Sequence, residues 1–232
     1  MADNLVDTET TLVTHLRDNL TDYKKLLSGK QWIWSGAPHI NKKTNKMAGT
    51  PRIHVSRRTS NPQYTRLGTH KKDYHIEYQI QVYVAAGQKC YVSGTGTTLA
   101  EAVDTSETDI DVTSAANMTA STTTLDHLIR ITDGTNEDIR KITAINTNTV
   151  TIDSACNNSY ANGSAAYPYT LYKGSKLLNK ICDDIANTLE TNAGSLTGIH
   201  RVERLDEGGY FYDYDLDVYI CPMIFEAWVL NR

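Results

Sequence analysis

Between about Thr97 and Tyr172 the chain changes character: Thr, Ser, Asn, Asp and Ala dominate, Trp is absent and basic residues become scarce. On either side lies the same order of patterns, an amphipathic helix followed by two alternating strands. Two similar flanks around a stretch of different composition argue for one domain lodged within another. The expectation is a discontinuous core built from 1–96 and 173–232, with a β-rich domain over 97–172.

The flanks carry the clearest periodicities. From Thr8 to about Leu27, the residues Leu12, Val13, Leu16, Leu20, Tyr23 and Leu27 recur at three- and four-residue spacing, which predicts a helix with one apolar stripe. Trp32 and Trp34 alternate about Ile33 as a short strand. Pro51–Arg58 reads as a strand with Ile53 and Val55 inward, His54 and Ser56 outward, and a polar, basic hairpin loop follows. Tyr74–Val84 is the strongest strand, with Ile76, Tyr78, Ile80, Val82 and Val84 on one face. After the interruption, Leu177, Leu178, Ile181, Ile185 and Leu189 predict a second helix over Ser175–Asn192. A strand over Gly198–Leu205 follows, and another over Tyr210–Ile220 that Pro222 ends or bends. The class is α+β, a mixed α/β sandwich with helix–strand–strand repeated and the helices on one sheet face.

The interruption reads as strands and turns alone. Ile110 and Val112, Leu128 to Ile131, Ile139 to Ile145, and Val150 with Ile152 are separated by turn residues such as Asp133-Gly134-Thr135-Asn136. Short strands at that spacing predict a small all-β barrel or sandwich.

Charge narrows the function. The net charge of −4 conceals a segregation: Lys24–Lys72 holds twelve Lys and Arg and no acid, Thr98–Tyr172 holds ten acids against three bases, and Glu203–Glu226 holds seven acids against Arg204. Such separation suits head-to-tail contact between identical subunits, and equally a basic loop with solvated acidic faces. Aromatics among the cations of 24–72 also fit a nucleic-acid-binding module. No apolar run is long enough to span a membrane, and the first residues lack the pattern of a signal peptide. The expectation is a cytosolically made, soluble protein. The four cysteines show no CxxC pair and no zinc spacing, which predicts reduced, buried thiols and no metal or other cofactor.

Catalytic patterns are weak. Asp213, Asp215 and Asp217 share one predicted strand face, and such a row more often meets solvent or a basic partner than a substrate. His70, Lys71, Lys72, Asp73 and His75 cluster without a nucleophile. Gly94-Thr95-Gly96 lacks the lysine of a phosphate loop.

The succession TTLAEAV (97–103), TDIDVTSAANM (108–118), LIRITDGTNEDIRKITAINTNTVTID (128–153) and YANGSAA (160–166) resembles a small β-domain that recurs as an insert in virion proteins of tailed phages. It departs at Cys156–Tyr160, where similar domains often carry an Arg-Gly step and a His. The flanking halves resemble the tail terminator (tail completion) proteins of long-tailed phages and related viruses in element order and size. That resemblance implies a non-enzymatic virion protein of the tail and neck, assembled in the host cytoplasm. It would form a ring, of six copies in that family, that ends the tail tube, meets the tail-tube protein and the neck or head-closure protein, and lets DNA pass through its lumen. The inserted domain would decorate the outside. Another neck or tail subunit (head-closure, adaptor or tail-tube protein) is the nearest alternative. In such a ring the basic face, Lys42, Lys43, Arg57 and Arg58, would meet the acidic face, Asp213, Asp215 and Asp217, of the next copy, with Trp32 or Trp34 as an apolar anchor.

Overall fold

The computed structural model describes residues 8–24, 32–36, 50–63, 73–192 and 196–230. The fold is α+β. The chain divides into two compact units, one made of 1–88 with 173–232, the other of 89–172. Elements are numbered along the chain.

The first unit is a six-stranded sheet with helices. Helix α1 (Thr8–Asn19) buries Leu12, Val13 and Leu16. The stripe continues through buried Leu20 and Tyr23, but the helix pauses at Leu20 before α2 (Thr21–Lys24). The Asn19 side-chain amide donates to the His15 carbonyl at 2.8 Å, a local competitor of the backbone ladder. The rest of the expected run, to Leu27, lies outside the described residues. Helix α3 (Ser175–Asn192) buries the predicted stripe Leu177, Leu178, Ile181, Ile185 and Leu189 completely.

The strands of this unit are β1 (Ile33–Ser35), β2 (Arg52–Gln63), β3 (Asp73–Ala85), β11 (Ile199–Glu207), β12 (Phe211–Asp213) and β13 (Val218–Leu230). Their order is β1-β2-β3-β13-β11, with β12 also beside β13. β1 lies parallel to β2 and the other pairs are antiparallel. β3 and β13 form the centre, in unbroken register from Val218 opposite Ala85 to Leu230 opposite Asp73. Ile76, Tyr78, Ile80, Val82 and Val84 of β3 are buried with Cys221, Met223, Phe225, Ala227 and Val229 of β13. The helices cover this face, α1 over β1 and β2, α3 over β3, β13 and β11. The Thr8 and Tyr78 hydroxyls hydrogen-bond beneath α1. Truncating Ile80 to Ala here costs about 2–5 kcal/mol.

Three sequence expectations are corrected. β2 does not stop at Arg58 but runs to Gln63, because β3 supplies a ladder partner as far as Asp73 and pairing overrides the weak strand propensity of Ser60-Asn61-Pro62. The predicted strand over Tyr210–Ile220 is instead β12, a turn over 214–217, and the start of β13. Pro222 does not end β13. Its carbonyl accepts from the Gly208 N–H at 3.0 Å, so its missing donor would point into the gap where β13 changes partner from β12 to β11, and no ladder bond is lost.

The second unit is a seven-stranded sheet of β4 (Lys89–Ser93), β5 (Thr97–Thr98), β6 (Asp109–Asp111), β7 (Asp126–Thr132), β8 (Glu137–Asn146), β9 (Thr149–Ile152) and β10 (Ala165–Lys173), in the order β4-β10-β7-β8-β9-β6 with β5 on β10. The unit begins at Lys89, earlier than the composition shift near Thr97, because β4 pairs with β10. The sheet curls until its ends meet: Leu99, just after β5, bridges Val112, just after β6. Leu99, Val103, Ile110, Val112, Ile129, Ile131, Ile142, Val150, Ile152 and Tyr160 fill the interior. One carboxylate is buried there. Asp138 accepts from the backbone N–H groups of Asn157 and Asn158, the Asn158 amide and the Tyr160 hydroxyl, all within 2.9–3.1 Å, and pairs with Arg140 at 2.8 Å. This network holds the turn around Cys156. Burial pushes the Cys156 thiol up to about 11. All four cysteines are buried and no disulfide links them.

Candidate subunit interface

Arg57 and Arg58 are consecutive on β2, yet both are exposed. Strict alternation would send one to each face of the sheet. A register shift between Arg57 and Thr59 lifts that constraint: Arg57 stands opposite Tyr78, Thr59 opposite Glu77, and Arg58 is the extra residue. Such a bulge re-aims side chains at a sheet edge. β1 pairs with β2 only over Ile53 to Val55, so among the described residues no strand covers the outer edge of β2 beyond that point. Lys42 and Lys43, the other predicted cations, lie outside the described residues, as does most of the basic segment.

The predicted acidic row is not a strand face. Asp213 ends β12, and its carboxylate accepts the backbone N–H groups of Asp215 and Leu216, each at 3.0 Å. The Tyr212 hydroxyl donates to Asp217, whose φ of 54° lies in the left-handed region that Asp tolerates. Two of the three carboxylates thus find donors in a turn, where a strand would have set them side by side in repulsion. The hydrogen bond to Asp217 pushes the Tyr212 phenol up to about 12. Asp215 is exposed at the tip.

Aromatic side chains surround this hairpin. Tyr214 is 87% exposed, Phe211 52% and Tyr210 51%. Tyr212 meets the ring of Tyr214 edge-on at 4.8 Å and lies 5.0 Å from Tyr219, which in turn meets Tyr210. Beneath them Tyr83, Val218 and Ile220 are buried with Leu216 against them. From Asp206 to Glu226 the sequence contains no Lys, Arg or His. The hairpin lies beside β13 on the side away from β3 and β2, so Asp213, Asp215 and Asp217 stand toward one side of the sheet and Arg57 and Arg58 toward the other.

The two Trp residues separate. Trp32 is buried beside Tyr23, ring centroids 5.6 Å apart, and serves the core rather than an interface. Trp34 is half-buried on the face away from the helices, stacked on His54 at 5.5 Å with the Arg52 guanidinium 4.1 Å over its ring. His54, expected on the outward face of its strand, is buried. Its Nδ1 lies 3.2 Å from the Gly36 carbonyl, which places the proton of the neutral ring there. Burial holds its pKa below the ordinary histidine value, and neighbouring Arg52 adds to that. Burial likewise raises the Tyr83 phenol. Farther along the same face, Trp228 stacks on His75 at 4.7 Å under the Arg201 guanidinium, and His75 pairs with Glu226 at 3.1 Å. The burial of Arg52 and His54 was invisible to the alternation pattern, which records only that they leave the helix-covered face.

Among the described residues no group of His, Cys, Asp and Glu is placed to hold a metal ion. No helix among them is long and apolar enough to cross a membrane. A comparison with protein-family models finds none that matches the chain, and a comparison with curated proteins finds no matching relative.

Proposed function

We propose that the chain is a non-enzymatic structural subunit of a tailed virus, a tail terminator that assembles into a ring at the head–tail junction. The observation that carries this reading is the separation of two oppositely charged groups on one sheet: exposed Arg57 and Arg58 toward its β2 edge, and Asp213, Asp215 and Asp217 in the β12 hairpin toward the other side. Two different surfaces that attract each other generate a heterologous contact, and repetition of such a contact closes a ring when the rotation allows. The element order that resembles tail terminators adds support, and with it the sixfold count. The tail-tube protein and the neck or head-closure protein are the proposed partners, with DNA in the lumen. The all-β unit is an inserted domain that ring closure does not require, since both charged edges belong to the six-stranded sheet. Native mass spectrometry and electron microscopy test this: a closed ring of one size is expected, and a chain that stays monomeric beside its tail and neck partners overturns it. Location along the virion axis separates a terminator from a head-closure, adaptor or tail-tube subunit.

A second reading rests on the two guanidinium-over-indole pairs, Arg52 with Trp34 and Arg201 with Trp228, on the face that the helices leave open. Aromatic platforms beside cations also stack single-stranded bases. A gel shift with a steep salt dependence supports this reading, and no shift at low salt removes it.

A further inference from the structure

We infer that the β12–β13 hairpin is the anchor of the subunit contact, and that its occupant is the bulged β2 edge of a second copy of this chain. The inference rests on the ring proposed above and names the surfaces that close it. Trp32, the anchor expected from the sequence, is spent in the core. Among the described residues of the first unit, most of the large exposed apolar side chains are instead gathered here: Tyr210, Phe211 and Tyr214. Tyrosine is favoured at interfaces because its ring buries wide area with few torsions to freeze and its hydroxyl tolerates water.

The hairpin is held in shape before any partner arrives. The Asp213 carboxylate takes two backbone donors, Tyr212 fixes Asp217, and the Tyr83, Val218 and Ile220 cluster supports the turn from below. A contact surface fixed beforehand loses little entropy on binding. Asp215, at the tip, makes no hydrogen bond with its carboxylate among the described residues.

The β2 edge offers matching chemistry. The bulge turns two adjacent guanidinium groups outward, and no ion pair holds either one among the described residues. A guanidinium plane stacks on a phenol ring and forms paired hydrogen bonds to a carboxylate. An acidic, tyrosine-rich hairpin answers both properties. Because the two surfaces lie toward opposite sides of one sheet, the contact joins unlike surfaces on neighbouring copies.

A mixing experiment on the full chain tests this. In Asp215→Lys every contact sets Lys against Arg, and in the double variant Arg57→Glu with Arg58→Glu every contact sets Asp against Glu. Each variant alone is expected to weaken association by about tenfold or more. Mixed in equal amounts, the two attract at every contact and restore assemblies in which they alternate. The pair Phe211→Ser with Tyr214→Ser is expected to weaken assembly without rescue by either charge variant, its fold checked by circular dichroism. Wild-type assembly with unaffected variants, or loss without recovery on mixing, overturns the assigned contact and leaves the ring standing. A wild-type chain that is monomeric beside its tail partners removes the ring, and this contact with it.

Discussion

The backbone N–H of Gly174 donates to the carbonyl of Gln88 at 3.1 Å, so the points where the chain leaves and re-enters the six-stranded unit are hydrogen-bonded to each other. Gly174 holds φ at 54°, and a Cβ there would lie 3.0 Å from the Ala86 carbonyl oxygen and 3.2 Å from the Tyr219 ring. Excision is therefore predicted to be tolerated. A chain lacking 89–172, with Gln88 joined to Lys173 through a short Gly-Ser linker, is expected to unfold cooperatively. The fragment 89–172 is expected to do the same, since its apolar cluster is drawn from its own residues. A coil-like circular dichroism spectrum from either piece would refute this. Gly174→Ala in the full chain is expected to cost about 1–2 kcal/mol from its left-handed backbone alone.

Asp138 supports a prediction with a definite sign. Burial by itself would raise its pKa, but hydrogen bonds from Asn157, Asn158 and Tyr160 outweigh burial and hold the carboxyl below its usual range. A depressed folded pKa contributes stability above the unfolded carboxylate value, and that contribution is lost as pH falls through the folded value. Asp138→Ala leaves Arg140 and the turn donors without their acceptor, at a cost of about 3–5 kcal/mol near neutral pH. Thermal unfolding should show a wide gap between wild type and variant at pH 7 that narrows as pH falls below about 4. A gap independent of pH would assign the loss to packing and not to charge.

Legibility followed the kind of interaction that fixes each element. The stripes of α3 and β3 were readable because burial against one layer repeats at the helix or strand period, and each residue from Leu177 to Leu189 or from Ile76 to Val84 reports it independently. The turn over 214–217 was hidden because Tyr212, Tyr214 and Leu216 alternating with Asp213, Asp215 and Asp217 imitate a strand. Its stop signal is a side-chain acceptor, Asp213, for two backbone donors. The passage of β13 through Pro222 depends on which neighbour faces the missing N–H, which is a tertiary fact. Of the candidate site, the charges of Arg57 and Arg58 were plain, whereas the bulge that exposes both depends on register with β3. A continuous strand over Tyr210–Ile220 would put the rings of Phe211 and Tyr214 on opposite faces, whereas with the turn over 214–217 both are exposed.

His54 should make the first unit sensitive to acid. Its folded pKa lies below the ordinary value of about 6.5, so above that pH the ring is neutral in both folded and unfolded chains. Below it the unfolded chain takes up a proton that the folded one resists, and stability falls as pH drops toward the folded value. His54→Phe keeps a ring between Trp34 and Tyr83 and removes the titration. Urea unfolding at pH 8 and pH 5.5 is expected to show a smaller loss of stability in the variant than in wild type. Equal losses in the two proteins would mean that His54 protonates as easily folded as unfolded.

Gly208 and Pro222 should behave as a coupled pair. The Gly208 N–H reaches the Pro222 carbonyl at 3.0 Å only because no side chain intervenes: a Cβ there would sit 2.9 Å from Pro222 Cγ and 3.3 Å from its carbonyl oxygen. Gly208→Ala must push the end of β11 away from β13, at about 1–3 kcal/mol for an overpacked contact. Pro222→Ala removes the Cγ atom and supplies an N–H directed into a gap that demands none, so alone it should change stability by less than about 1 kcal/mol. If the ring carbon is the obstacle, the double variant loses less than the sum of the two single losses, with a coupling of about 0.5 kcal/mol or more. Denaturant midpoints with unchanged slopes would measure it. Strict additivity would place the cost of Gly208→Ala in its own backbone, and the role of Gly208 would be conformational rather than one of close approach.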